Sequence, residues 1–450
     1  LWWAQLHPAE RRLRRAPLAG DTQADVAIVG AGYTGLWTAL SLLRADPAIR
    51  VVVLEASVAG AGASSRNGGW CSALLPLPWD DVARRFGAAA ADAWEQAIRN
   101  AVPDIEQTLR SEGIDCGFAR DGVLQTASDP AQLARLRGEV AAARARGQGP
   151  EHLALLSADG ARALVGSPHA LGGTFSPHCA AVQPALLVRG LAHAVERRGG
   201  VVAEATRAWA LEPGRVRTDR GDVRARYVVR ATEGYTAGLP GARRDLLPMV
   251  SSMIATEPLQ ATTWERLGWA RRVTFFDGRR HLFYAQRTAD GRIAFGGRGA
   301  PYRWGSRIED PVRRLDHWAA GLRRLLVEQF PVLAGVRITH RWGGVLGVPR
   351  GWLPAVRLDP GTGLATAGGY SGDGVALAHL AGRTLADLLL GRRSPLVQLP
   401  MVGVPLRRWE PEPARWAGAR TVAALAVSAD RAEARGALRP LRARVVDRFA

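Results

Sequence analysis

No lysine occurs anywhere in the 450 residues, so all 60 basic side chains are arginine. Schiff-base chemistry, a lysine base and a phosphate loop closed by lysine are thereby excluded. Cysteine is nearly as scarce. Cys71, Cys116 and Cys179 stand far apart and odd in number, forming neither a CxxC pair nor a disulfide framework, which fits a reducing compartment. No run of roughly 18 apolar residues could span a bilayer. Leu1–Gly20 lacks the apolar stretch of a signal peptide. The nine histidines show no HxxxH or HExxH spacing, so no metal is expected. These absences predict a soluble, cytoplasmic chain.

What is present is globular: 47% hydrophobic and 22% charged residues, in a chain long enough for two or three compact units. The net charge of +19 is carried by dispersed arginines, clustered only at Arg11–Arg15 and in the C-terminal tail. It reads as the base composition of a GC-rich gene rather than the imprint of a polyanionic partner. No RRM or KH motif accompanies it, which argues against nucleic acid.

Asp25–Gly30 (DVAIVG) has strand character and runs into Gly30-Ala31-Gly32-Tyr33-Thr34-Gly35, followed by a helical stretch to about Arg44. A second strand, Arg50–Leu54, ends in Glu55. Gly30 supplies a tight turn, Gly32 lets backbone approach a pyrophosphate, and Gly35 lets helix pack on strand. The helix N-terminus offers N–H groups and positive dipole to phosphate, and Glu55 can accept from a ribose. A dinucleotide site is predicted; the motif alone leaves NAD and FAD open.

Two further segments separate them. Gly60–Gly69 (GAGASSRNGG) is too rich in glycine and serine for a helix, and Ala365–Leu390 reads as strand, glycine turn and helix. A second helix dipole aimed at an electron-rich group suits a flavin, which gains negative charge on reduction. Through Asp25–Gly35, Ala63–Gly69, Val228–Thr236 (VVRATEGYT), Arg341–Gly344 (RWGG) and Gly368–Val375, the chain resembles the D-amino-acid oxidase, glycine oxidase and sarcosine oxidase family of FAD enzymes. Its nearest likeness is to the gamma-glutamylputrescine oxidase-like branch.

The resemblance covers about Gly20 to Leu390 and implies an α/β fold. A Rossmann-type FAD domain would be assembled from 21–80, 156–243 and 341–395. An α+β substrate domain, from 81–155 and 244–340, would roof the flavin with a mostly antiparallel sheet, and 396–450 would be a tail with one helix. The implied cofactor contacts are Gly30, Gly32, Tyr33, Thr34, Gly35 and Glu55 for the ADP half. Ala63, Ser64, Ser65, Arg66, Asn67, Gly68, Gly69 and Trp70 would lie by the flavin ring. The strand near Thr206–Trp209, with Ala208, would pass the adenine, Ala231 and Thr232 would be further contacts, and Gly369, Gly372, Asp373, Gly374 and Val375 would meet the flavin pyrimidine. Asp373 is expected to cap the following helix with its side chain.

Relatives clamp a substrate carboxylate with arginines where this chain has Leu346 and Gly372, which favours an amine over a simple α-amino acid. Relatives that attach FAD through cysteine or histidine have no counterpart here, so FAD is expected to be non-covalent, with Cys71 the one candidate otherwise. Tyr284 and His281, on a predicted strand (HLFYAQR), together with Trp342 and Arg298, are candidate substrate-side residues, each with ordinary packing as the competing account. The activity implied is oxidation of a primary or secondary amine by hydride transfer, with dioxygen or an electron-transfer partner as acceptor. A D-amino-acid, glycine or sarcosine substrate and an RNA-directed oxidation are the alternatives.

Along the rest of the chain, helices are predicted over Asp81–Arg110, bent or broken at Pro103, and over Pro130–Arg146 and Pro184–Arg198. Short apolar runs from Val250 to Gly297 predict antiparallel strands, and Arg420–Val427 a final helix.

Overall fold

The computed structural model describes residues 1–300, 302–308, 315–438 and 440–446. Two eight-stranded sheets organise the chain. In the first, Leu364–Gly368, Gly221–Arg230, Thr22–Val29, Val51–Leu54 and Val201–Ala203 lie in that order, all parallel. Ala355–Leu358 closes one edge antiparallel, and a hairpin of Ala208–Glu212 and Arg215–Thr218 pairs with the early part of Gly221–Arg230. Val26 to Val29 and Val51 to Leu54 are buried on both faces, as central parallel strands require. Helices Tyr33–Ala45, Pro184–Arg197, Gly374–Leu389 and Ala88–Ser111 contribute to the principal core beside this sheet. Gly382 permits the closest of these packings, since a Cβ there would meet the Thr38 backbone nitrogen at 2.8 Å.

The second sheet runs Ile338–Pro349, Leu246–Thr256, Ile293–Ala300, Phe283–Arg287, Thr274–Asp277, Val123–Ala127, Gly172–Ser176 and Ala154–Ser157. Every neighbouring pair is antiparallel except Thr274–Asp277 with Val123–Ala127. Its core is aromatic: Phe283 stacks on Phe295 at 4.9 Å and Trp269 on Phe330 at 5.8 Å between ring centroids. Such pairs add to the burial of their area.

Several expectations need correction. The helical stretch from Asp81 is broken at Gly87 (φ +91°), between Trp79–Phe86 and Ala88–Ser111, and not at Pro103. Buried Ile98, Ala101, Val102 and Ile105 hold the longer helix together on both sides of the proline. Gly172–Ser176 and the whole of Ile338–Pro349 belong to the second sheet, although 156–243 and 341–395 are expected to be segments of the cofactor domain. The final helix is longer than expected, Ala414–Glu433, and a second, Leu441–Val446, follows it. His281 lies before the strand Phe283–Arg287, not on it.

Candidate cofactor and substrate site

The first strand runs into Gly30, whose φ of +109° and proximity to the Ala231 carbonyl leave no room for a side chain. The helix beginning at Tyr33 has first-turn N–H groups without intrahelical acceptors. Ser64 Oγ takes the one from Tyr33 at 2.8 Å. Gly35 packs directly on the Gly30 carbonyl. Glu55, at the end of Val51–Leu54, accepts from Ala31 N at 3.1 Å and Ser57 N at 2.9 Å. Burial raises its pKa, against the pull of those bonds.

The second glycine turn has three residues at positive φ: Gly369 at +82°, Ser371 at +56° and Gly372 at +120°. It delivers the N-terminus of Gly374–Leu389 to the same place. Tyr370 Oη lies 3.0 Å from Thr34 Oγ1, which ties the two helix starts together. Between them opens a cavity of about 710 Å³, reaching from Glu55 and Ala208 to Leu346 and Val375.

Gly30, Gly32, Tyr33, Thr34, Glu55, Ala63, Ser64, Arg66, Asn67, Ala208, Ala231, Thr232, Gly372, Gly374 and Val375 line this cavity. Gly35, Ser65, Gly68, Gly69, Trp70, Gly369 and Asp373 sit behind its wall. Ser65 Oγ donates to Gly60 O, Gly68 and Gly69 face Tyr284 and Gln286, and Gly369 N–H donates to Glu233. Trp70 meets Phe276 and Tyr284 edge-on. Asp373 occupies the N-cap position, but its side chain accepts no capping N–H: its φ/ψ of −90°/37° are not those of the extended residue that such a cap needs.

Tyr284, His281 and Trp342 do not line the cavity. Tyr284 and Trp342 flank the 63–69 loop from outside: Tyr284 Oη is 2.7 Å from Ser251 Oγ, and Trp342 Nε1 donates to Arg66 O at 3.0 Å. His281 N–H donates to Asp430 on the Ala414–Glu433 helix. The backbone of Arg298 pairs with Ser251; its side chain lies outside the described residues.

One cavity residue that the sequence reading passed over is Glu233, in the quoted VVRATEGYT. It holds φ +43° and accepts N–H groups from Gly369 at 2.7 Å and Gly347 at 3.2 Å. Burial pushes its carboxyl up to about 7. The available signal was an acid one turn beyond a buried strand. Leu346 and Gly372 both line the cavity.

These residues fit a flavin dinucleotide. Two helix N-termini converge on an elongated cavity within the roughly 300–1,000 Å³ of small-molecule sites. Ser371 Oγ, beside the second turn, is buried without a hydrogen-bond partner. At Gly32, a Cβ would crowd Ser64 Oγ at 2.9 Å. The cavity therefore has the volume, the converging helix starts and the bare backbone that a flavin dinucleotide requires.

The family model described as "FAD dependent oxidoreductase" matches residues 25–388, and the chain belongs to that family. It is an FAD-dependent oxidoreductase. Gamma-glutamylputrescine oxidoreductase of Escherichia coli (strain K12) is 34% identical over 373 residues, 82% of this chain and 84% of the relative. A probable oxidoreductase, OrdL, of Rhizobium meliloti (strain 1021) is 31% identical over 86% of this chain and 88% of its own length. Among solved structures, glycine oxidase from Geobacillus kaustophilus superposes with a TM-score of 0.69 at 21% identity, covering 83% of this chain and 96% of that one. Among the described residues no helix is long and apolar enough to cross a membrane, and no cluster of histidine, cysteine and acidic residues could hold a metal.

Proposed function

We propose that this enzyme oxidises a C–N bond in a primary or secondary amine, polyamine-like or N-substituted, and that the imine formed then hydrolyses to a carbonyl compound and an amine. The observation that carries the reading is the pair Leu346 and Gly372 on the cavity wall. A leucine and a glycine offer a carboxylate no bidentate partner, so an α-amino acid loses the anchoring that arginine provides. The similarity to a gamma-glutamylputrescine oxidoreductase points the same way.

Bound FAD supplies the hydride acceptor. The chain's own residues bind and orient. The helix starts after Gly32 and at Gly374 would hold anionic parts of the cofactor, and Glu55 would accept from its ribose. Glu233 organises the wall rather than taking a substrate proton, since both carboxyl oxygens already accept backbone N–H groups. Attachment is non-covalent in this reading: Cys71 is fully buried in the principal core, and burial holds its thiol well above the ordinary range. The acceptor that reoxidises the cofactor is dioxygen or an electron-transfer partner. Three buried, unpaired thiols accord with a cytoplasmic location.

The test is product analysis after incubation with a panel of mono-acylated diamines, diamines, N-alkylamines, glycine, sarcosine and D-alanine, with air or an electron-accepting dye. Aldehyde released from the amines, and little product from the amino acids, supports the proposal. Turnover confined to the amino acids refutes it.

A further inference from the structure

Three consecutive residues of the 63–69 loop each receive an indole N–H from elsewhere. Trp3 Nε1 donates to Ser65 Oγ at 2.7 Å, Trp342 Nε1 to Arg66 O at 3.0 Å, and Trp2 Nε1 to Asn67 O at 3.0 Å. The opposite side of the same loop presents Ser64, Arg66 and Asn67 to the cofactor cavity. Two of the three donors come from the first residues of the chain, a region whose sequence shows no motif.

The seat of these tryptophans is built. Trp2 is 2% exposed, and its carbonyl accepts from Gln183 Nε2 at 2.8 Å. It meets Trp342 edge-on at 5.8 Å and packs in one cluster with Met253 and Ala294 of the second sheet. Ser65 relays the contact inward: it accepts from Trp3 and donates to Gly60 O at 2.5 Å.

The same segment then passes to the opposite end of the cavity. Glu10 pairs with Arg189, and with His193 at 2.9 Å. Arg15 bonds Glu196 at 2.8 Å and Glu204 at 3.2 Å. Leu18 N–H donates to Thr206 Oγ1 at 3.0 Å, and Thr206 lines the cavity beside Ala208. Glu204 also accepts from Ala59 N at 2.9 Å, just before the glycine-rich stretch that becomes the loop. One short segment therefore holds both walls.

We propose that Trp2–Leu18 is a strap that pre-orders the cofactor cavity, and that Trp2 and Trp3 are positioning residues that hold the 63–69 loop in its cofactor-binding shape. A loop rich in glycine and serine loses much conformational freedom on ordering. A strap that has already ordered it spares FAD binding that cost. The inference rests on the FAD cofactor and is independent of which amine is oxidised.

The test compares wild type with Trp3→Phe and Trp2→Phe, which keep an aromatic ring and remove the N–H, and with Glu10→Gln, which loosens the strap far from the loop. FAD dissociation is followed by recovery of free-flavin fluorescence on dilution. The fine structure of the visible flavin band and the urea midpoint of FAD-free protein are measured alongside. A net hydrogen bond of the usual strength corresponds to a weakening of FAD binding by roughly two- to twelvefold for each Trp→Phe change. A smaller effect in the same direction is expected for Glu10→Gln, together with a blurred flavin band and an unmoved urea midpoint. FAD dissociation and a flavin band identical to wild type in both tryptophan variants would overturn the proposal. So would weakening fully matched by a lower urea midpoint, because that reports general stability rather than loop position. If a tryptophan variant does not fold, Glu10→Gln decides by the same criteria.

Discussion

Tyr370 Oη sits 3.0 Å from Thr34 Oγ1, although the two residues are separated by most of the chain. The bond locks the start of the first dinucleotide helix to the glycine turn that launches the second. Both residues are buried, and burial pushes the Tyr370 phenol far above its usual range, so the hydroxyl stays protonated. Two helix dipoles are thereby held facing one cavity.

Replacing Tyr370 with phenylalanine removes that bond and keeps the ring packed against Gly374. The expected outcome is FAD binding weakened by roughly fivefold, from a net loss of about 1 kcal/mol, measured by equilibrium titration of FAD-free protein. Affinity equal to wild type would show that the helix starts are aligned without it.

Glu233 makes stability depend on pH. Its carboxyl is raised by burial from 4.5 to about 7 in the folded protein, so the folded state binds more protons than the unfolded one between those values. The sign follows: the contribution is fully present below about 4.5 and is lost as pH rises through about 7. Asp277, raised by burial to about 7 despite Arg279, acts in the same sense. Urea unfolding of FAD-free wild type from pH 5 to 8 should show a falling contribution, on the order of 3 kcal/mol for Glu233. Glu233→Gln should flatten part of that slope. An identical slope in the variant would mean that Glu233 is ionised in the fold.

Leu346→Arg introduces a cation on the cavity wall. The expected result is a shift in preference toward substrates with an α-carboxylate, read as a lower KM for glycine or sarcosine relative to an uncharged amine. A change of roughly tenfold or more would match the gain of a charge-assisted bond. No shift in the ratio would place substrate away from Leu346.

Acid precipitation should release the flavin colour into the supernatant, because no reactive thiol borders the cavity. Cys71, Cys116 and Cys179 are all buried, and Cys71 pairs within the small sheet of Trp70–Ser72 and Cys179–Ala181. Colour retained by the pellet would contradict non-covalent attachment.

Much of this site was legible because its parts are local in sequence. The Gly30–Gly35 turn, the buried strands on either side and Glu55 announce themselves through spacing alone, and the structure brings them to one cavity with Ala208, Ala231 and Gly374. What was not legible depends on long-range contact. Nothing in the local pattern says that Trp2 reaches Asn67, or that Tyr284 packs behind Gly68 instead of facing the cavity. The break at Gly87 rather than Pro103 is a further case, decided by burial of the helix face. That Gly172–Ser176 pairs with Val123–Ala127 and Ala154–Ser157 is equally illegible, because short strands carry no mark of their partner.

The central claim is that FAD held between the two helix starts oxidises amines. Anaerobic mixing of the FAD-loaded protein with a mono-acylated diamine, with glycine and D-alanine as comparisons, tests it most directly through the visible flavin band. Rapid loss of that band with the diamine, and slow or no loss with the amino acids, is the predicted result. Bleaching by the amino acids alone would contradict the account.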